Sequence, residues 1–350
     1  MAPSPFVARP ATLDDLGEIA ELLLRVFCVR HSIAALRWKY TGCTGRLVGT
    51  TVLTSDSRVI GFLGQIPVRV CVGGHEILAA QSADIGILEE HRRLDAFLTM
   101  LRGCVRELET AGVALTYGTA NADITLTLAA LLGQQTVAAV PLLARPLGGT
   151  IPARILSAFT WAVELLTRGV ASSAGAGLRL TRLGRFDDRF DRFWQQIRGD
   201  YPIMLVRDAA YLNWRYVDAP GVVYERIGIE QAASGEIEGY AVLRISRRGG
   251  RIRGQVCDLV TSRHGDRCAA HALMAVAMQW FRAQKADVAD IWMFRHAHLR
   301  GALRRHGFVP RRTGPGGFQA CGLASGTAPK LRSVQRSDNW FLSMGDSDTV

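Results

Sequence analysis

Three landmarks recur along this 350-residue chain in one order and at nearly one separation, and a repeat of that kind restricts the fold to a single pattern built twice. The segment Leu36-Arg37-Trp38-Lys39-Tyr40 returns as Leu212-Asn213-Trp214-Arg215-Tyr216, a shift of 214 − 38 = 176. Asp84, inside an apolar run, returns as Asp258 in Gln255-Val256-Cys257-Asp258-Leu259-Val260, with 258 − 84 = 174. Gly133, after two leucines, returns as Gly307 in His306-Gly307-Phe308, with 307 − 133 = 174. The length agrees with two domains of about 100–200 residues each.

The pattern is most legible in residues 82–135. Ala83-Asp84-Ile85-Gly86-Ile87-Leu88 reads as a buried strand that stops at a polar cluster over 89–95. Phe97, Leu98, Leu101, Val105 and Leu108 then recur at helical spacing, with Gly112 just past the end. A second strand over 113–117, then Asn121, a helix over about 124–132 and a stop at Leu132-Gly133 complete the unit. Such a crossover sets two parallel strands side by side, with the polar loop and Asn121 at their carboxyl ends. That is where open α/β sheets bind ligands. Ahead of it lie a short strand at 6–9, a helix from about Asp15 to Phe27 capped by Thr12 or Asp14, and a second helix over 33–40. Strands at 46–53, 59–72 and 77–80 follow, and a strand over 137–144 ends the half near Pro146. The second copy supplies a helix over 269–283, a strand over 288–293 and a helix over about 297–306. The expected domains are 1–147 and 181–350, joined by a connector over 148–180 with an amphipathic helix.

Charge and cysteine usage narrow the class. The net charge of +11 is almost wholly arginine, since lysine occurs only at Lys39, Lys285 and Lys330. Positive charge suits anionic partners without naming one. The run from Arg247 to Arg253 reads as a charged, solvated hairpin turn, with a grip on phosphate the alternative. Seven scattered cysteines without a C-x-x-C pair imply reduced thiols and a cytoplasmic setting. His296 and His298 are the one close histidine pair and lack further ligands at metal spacing, so no metal is expected. Residues 1–15 contain no apolar signal core, and the most membrane-like stretch, 151–170, carries Arg154, Glu164 and Arg168, so no transmembrane segment is expected. Nucleic-acid recognition signatures are absent, which leaves a nucleic-acid partner unexpected.

The opening Arg9-Pro10-Ala11-Thr12-Leu13-Asp14-Asp15, the strand–loop–helix unit over 83–110, Asn121 leading to Leu132-Gly133, His306-Gly307-Phe308 and the two tryptophan segments stand in a telling order. With the closing run from Asn339 to Asp348 they resemble, over nearly the whole chain, the GNAT superfamily of acyl-CoA-dependent N-acetyltransferases in a tandem, duplicated form. The resemblance implies an α/β (α+β) fold of two GNAT-like domains. Each is a mixed, mostly antiparallel sheet with a central parallel strand pair and flanking helices. It implies an acyltransferase that uses acetyl-CoA or another acyl-CoA as substrate and a small-molecule amine as acceptor. An acyl carrier protein or an aminoacyl-tRNA is the alternative donor, and a fold retained as a binding module without turnover is a further alternative.

The family's loop after the fourth strand, R/Q-x-x-G-x-G/A, turns backbone N–H groups to the donor's pyrophosphate at a helix start. The matching positions run Arg92-Arg93-Leu94-Asp95-Ala96-Phe97, with Asp95 where the first glycine is expected and Phe97 where a small residue is expected. By resemblance Ile87, Leu88, His91, Arg92, Arg93, Leu94, Asp95, Ala96 and Asn121 are the donor-binding candidates. Asp84 is the candidate base, with Asp258 its counterpart in the second copy, although an aspartate in an apolar strand equally serves a neighbouring loop or arginine. The tyrosine expected after the fifth strand to protonate the leaving thiolate is missing from 119–133, which leaves Tyr117 or water. Trp38, Tyr40, Trp214, Tyr216, His296 and Asp346 are the candidates for acceptor binding, with core packing the alternative for the tryptophans and a solvated terminus the alternative for Asp346 and Asp348.

Overall fold

The computed structural model describes residues 5–120, 135–148, 177–263, 265, 267–294, 296–311, 317–322 and 332–348. Asn121, the helix expected over 124–132 and the amphipathic helix expected over 151–170 lie outside the described residues. The chain divides into two compact units, and neither is one continuous stretch: the first draws on 1–137, 219–222 and 318–335, the second on 138–218, 223–317 and 336–350.

The first unit is built on the strands β1 (Val7–Pro10), β2 (Thr51–Ser55), β3 (Arg58–Val72), β4 (His75–Ile87) and β5 (Leu115–Ala120), continued by β15 (Gly317–Gly322) and β6 (Gln135–Ala139), in that spatial order. β1 to β4 pair antiparallel, and β4 with β5 is parallel. β3 is buried along nearly its whole length because α1 (Leu16–Phe27), α2 (Ile33–Thr41) and α3 (Leu94–Thr110) all pack on it. Thr12 and Asp15 close a reciprocal capping box ahead of α1, and Ser32 Oγ accepts from Ala35 N at 3.1 Å to cap α2. α3 buries Ala96, Met100, Leu101, Cys104 and Leu108; of the stripe read from the sequence Leu101 and Leu108 are buried, while Phe97, Leu98 and Val105 are only half-buried. Its Gly103 sets the face, since a Cβ there would meet Ala8 Cβ at 2.6 Å, so the helix sits hard against β1.

The second unit repeats the plan. β8 (Leu178–Arg182), β10 (Glu225–Gln231), β11 (Ile237–Arg248) and β12 (Arg251–Thr261) pair antiparallel, β12 pairs parallel with β13 (Val288–Trp292), and β7 (Leu142–Pro146) and β14 (Val309–Pro310) complete the sheet. Two short strands, β9 (Ile203–Leu205) and β16 (Trp340–Phe341), pair parallel to each other. α4 (Asp188–Ile197) packs on β11 and on α5 (Ala209–Tyr216), while α6 (Arg267–Ala283) covers β10 to β12 and contacts α7 (Ala297–Arg305). In both sheets the strand next to the parallel pair comes from the other copy: β15 lies beside β5, and β7 beside β13. The single strand expected over 137–144 is two strands, β6 and β7, broken at Val140-Pro141. Pro141 offers no N–H to continue a ladder, but its carbonyl accepts from Met293 N at 3.2 Å, which seats β7 in the second sheet.

Candidate active site

The β3–β4 ladder slips by one residue, with Leu63 opposite Ile85 and Gly64 opposite Ala83, so Asp84 is the extra residue of a bulge. Its φ of 47° lies in the left-handed region, where aspartate is among the better tolerated side chains. A bulge re-aims a side chain and weakens pairing beyond it. Among the described residues the parallel β4–β5 ladder covers only Ala79–Gln81 against Leu115–Tyr117, although β4 runs on to Ile87 and β5 to Ala120. The two strands thus stop pairing at their carboxyl ends, beside Asp84.

Two residues of α2 meet that aspartate. Gly64 admits the Tyr40 ring, since a Cβ there would lie 2.4 Å from Tyr40 Cε1. Tyr40 is buried, and its hydroxyl donates to Asp84 Oδ2. Lys39 Nζ donates to the same oxygen at 2.5 Å, with the two side chains 14% and 22% exposed. Burial works to raise the Asp84 pKa, but the Lys39 charge and the hydrogen bonds from Lys39 and Tyr40 outweigh it and hold it below the ordinary value. Asp84 is therefore an ionised carboxylate already holding an ammonium group. Trp38, one residue before the pair, is half-buried.

β4 ends at the buried Ile87, and the buried Leu88 leads into a 3-10 turn at Glu89–His91 and the start of α3. The first bond closing α3 runs from Phe97 N to Arg93 O at 3.1 Å. That leaves the N–H groups of Leu94, Asp95 and Ala96 without a backbone acceptor among the described residues. Asp95, the carboxylate standing in place of glycine, is bound by Arg93 Nε and Nη2 at 3.2 Å each. Its charge is therefore matched within the loop. Arg92 Nε donates to Ile87 O at 3.1 Å, and His91 stands edge-on to Phe6 at 6.3 Å. Tyr117 is buried with its ring 5.9 Å from that of Phe318.

The corresponding place in the second unit is filled. The β11–β12 ladder slips at Cys257, and the parallel β12–β13 ladder ends at Gln255–Asp290. Phe294 N donates to Leu342 O at 3.1 Å and Met293 bridges Ser343, so the segment after β16 runs along the end of β13. Ser343 Oγ donates to Asp258 Oδ1 at 2.9 Å, and Gly345 sits against Tyr216 Oη and the Cys257 carbonyl so closely that no Cβ fits. Asp258 is fully buried and also accepts from Arg207 Nε at 3.2 Å, Tyr240 Oη at 3.0 Å and Tyr216 Oη at 3.3 Å. Arg207 Nη2 reaches both Asp346 oxygens at 2.8 Å. The solvated terminus weighed from the sequence does not hold for Asp346, which lies 2% exposed in a capping box with Ser343.

The structure thus brings Asp84 together with Tyr40, and Asp258 together with Tyr216 and Asp346. Trp214 is half-buried against Tyr211, ring centroids 5.5 Å apart. His296 stacks on Phe341 at 4.8 Å and meets Tyr201 edge-on at 4.9 Å; burial, with His298 nearby, pushes its imidazole down to about 3. Two residues central to these clusters, Lys39 and Arg207, were not among the sequence candidates. Lys39 carried a signal, as one of three lysines beside 42 − 3 = 39 arginines. Arg207 carried none, because its partners lie 51 and 139 residues away.

Residues 7–127 match the family model of the acetyltransferase (GNAT) domain. A comparison with curated protein sequences gave no match. Among solved structures, a conserved protein of unknown function from Enterococcus faecalis V583, described as a probable N-acyltransferase, aligns with a TM-score of 0.65 at 10% identity, covering 91% of this chain and 73% of that one. A GCN5-related N-acetyltransferase from Anabaena variabilis ATCC 29413 aligns at 0.63 and 14% identity, over 91% and 73%. Saccharomyces cerevisiae N-myristoyltransferase, solved with bound myristoyl-CoA and inhibitors, aligns at 0.57 and 15% identity, over 91% and 80%. At these identities the likeness is one of fold. Among the described residues no helix is long and apolar enough to cross a membrane.

Proposed function

We propose, from the premise that this chain carries a GNAT acetyltransferase domain over residues 7–127 and is an acyltransferase, that its first unit takes an acyl-CoA and passes the acyl group to the amine of a small molecule. One observation carries the reading: the parallel pair of the first unit stops pairing at Gln81–Tyr117 beside a bulged carboxylate, whereas the matching place in the second unit holds Ser343 to Asp346. The bound myristoyl-CoA of the N-myristoyltransferase structure supports a thioester donor on this fold.

In this reading the donor's pyrophosphate meets the start of α3, where the N–H groups of Leu94, Asp95 and Ala96 and the positive end of the helix favour an anion. Arg92 and Arg93 add cationic side chains, and the Arg93–Asp95 pair keeps the aspartate from opposing the phosphates alone. Ile87 and Leu88 flank the donor's arm, and Asn121, outside the described residues, is kept as a donor-binding candidate. Asp84 holds the acceptor ammonium and takes its proton, a role that requires Lys39 to give way because the carboxylate pKa is depressed. Trp38 and Tyr40 border the acceptor, and Tyr117 or water protonates the leaving thiolate. Asp258, Tyr216 and Asp346 hold the second unit together in this reading, with Trp214 and His296 packed beside them.

The test is thermal unfolding with CoA and acetyl-CoA. A ligand at a hundredfold excess over its Kd stabilises the native state by about 2.7 kcal/mol, which is read as a raised melting temperature. Arg93→Glu should remove most of that rise. No response to millimolar CoA, with a response to an acylated carrier protein, would replace the donor assigned above.

A further inference from the structure

We propose that Lys39 is itself an acyl acceptor, so that the first unit, once loaded with an acyl thioester, acylates its own α2 lysine. The inference rests on the donor reading above and goes beyond it by assigning a modification site.

This chain uses arginine at 39 positions and lysine at three. At the position matching Lys39 in the second copy it uses Arg215, which donates to the carbonyl oxygens of Gly345 at 3.0 Å and Ser347 at 2.9 Å. An arginine at position 39 would pair with Asp84 at least as well, since its planar fork fits a carboxylate. What lysine adds is an amine that can shed a proton and attack. That amine lies 2.5 Å from the carboxylate best placed to take the proton, on the bulge beside which the parallel strands stop pairing. Lys39 and Asp84 are largely desolvated, and Tyr40 holds the same carboxylate oxygen. A donor whose thioester lay along the end of β4 would place its carbonyl next to this pair, and proximity of that kind replaces a bimolecular encounter.

The step balances without any further reagent. The Lys39 ammonium gives one proton to Asp84, and the freed lone pair forms an N–C bond to the thioester carbonyl carbon. The C–S bond breaks, the sulfur keeps its electron pair, and the second nitrogen proton leaves with it as the free thiol. Asp84 returns its proton to solvent. The product amide is neutral, so Asp84 loses its cationic partner and keeps Tyr40. Removing the charge that holds its pKa down makes it a stronger proton acceptor for the next amine. Self-acylation thereby couples donor supply to the state of the site.

The experiment incubates the full chain with acetyl-CoA and follows Lys39 and Lys285 by peptide mass spectrometry, with CoA-dependent melting measured on the same samples. Lys285 is exposed, in a left-handed turn, and reports the uncatalysed reaction. Lys39 should be acetylated at least tenfold faster than Lys285 in the folded chain, at an equal rate in urea, and faster as pH rises. Asp84→Asn should bring the ratio down toward one. Lys39→Arg should abolish the increment at that peptide while keeping the CoA-dependent rise in melting temperature. A ratio near one in a chain that CoA stabilises would overturn this proposal and leave the donor reading standing. A ratio near one with no stabilisation by CoA would end both. Preferential acetylation of Lys39 supports the proposal whatever the size of the melting shift.

Discussion

Gly64 shows how one missing side chain prepares the candidate site. A Cβ there would come within 2.4 Å of Tyr40 Cε1 and 2.8 Å of the Ala83 carbonyl, and the second of these is backbone that cannot swing away. Gly64→Ala should therefore cost about 1–3 kcal/mol, the range for overpacking a filled core. It should also lift the Tyr40 hydroxyl off Asp84 and let the carboxylate pKa rise. Carbon-detected titration of the Asp84 carboxyl, with a denaturant midpoint alongside, reads both, and an unchanged Asp84 titration would mean that Tyr40 does not depend on the glycine. At this scale the sequence was partly readable. An aspartate inside an apolar run stood out because a buried charge calls for partners. The identity of those partners did not, since Lys39 and Tyr40 are 45 and 44 residues away and only the bulge brings them into reach.

Among elements, periodicity located the strands and helices of the crossover unit but not where they bend, break or change sheets. Pro141 splits an apolar run that otherwise reads as one strand, and the segment after β16 turns out to be interior to the second unit although its residues read as equally fit for solvent. Around that segment His296 and His298 supply an acid-sensitive element. Burial, with His298, Arg207 and Arg263 nearby, pushes the His296 imidazole down to about 3; burial and Arg263 push that of His298 down to about 4, with Asp200 partly opposing. An unfolded histidine titrates near 6.5, so below that pH the unfolded chain binds protons that the folded one refuses. The stability due to these neutral rings is complete above about pH 6.5 and falls as pH drops toward their folded values, by up to about 1.4 kcal/mol per pH unit for His296 and by less for the half-buried, solvent-screened His298. His296→Gln removes one of the two titrations. The stability gap between parent and variant should thus narrow by about 2 kcal/mol between pH 7 and pH 4.5, measured from denaturant midpoints. A gap that stays constant would show that His296 is not buried neutral.

For the molecule as a whole, the duplication visible in the sequence predicts two like sheets, and each has a bulge, a parallel pair and a helix after it. Among the described residues the likeness ends at the carboxyl ends of the parallel pairs. In the second unit Arg207 ties the fully buried Asp258 and Asp346 together, and breaking a buried pair of this kind costs about 3–5 kcal/mol, so the segment that fills the place is not readily displaced by a ligand. In the first unit the matching carboxylate is partly exposed and, among the described residues, accepts from Lys39 and Tyr40, with His31 nearby. Two copies of one fold thus predict one donor site, and calorimetric titration with CoA should give a stoichiometry near one per chain. Arg207→Met sharpens the point: it should destabilise the second unit while leaving that stoichiometry unchanged, because the cation it removes serves the closed copy. A value near two in the parent chain would mean that Ser343 to Asp346 yield to the ligand, and the assignment of the donor to the first unit alone would fall.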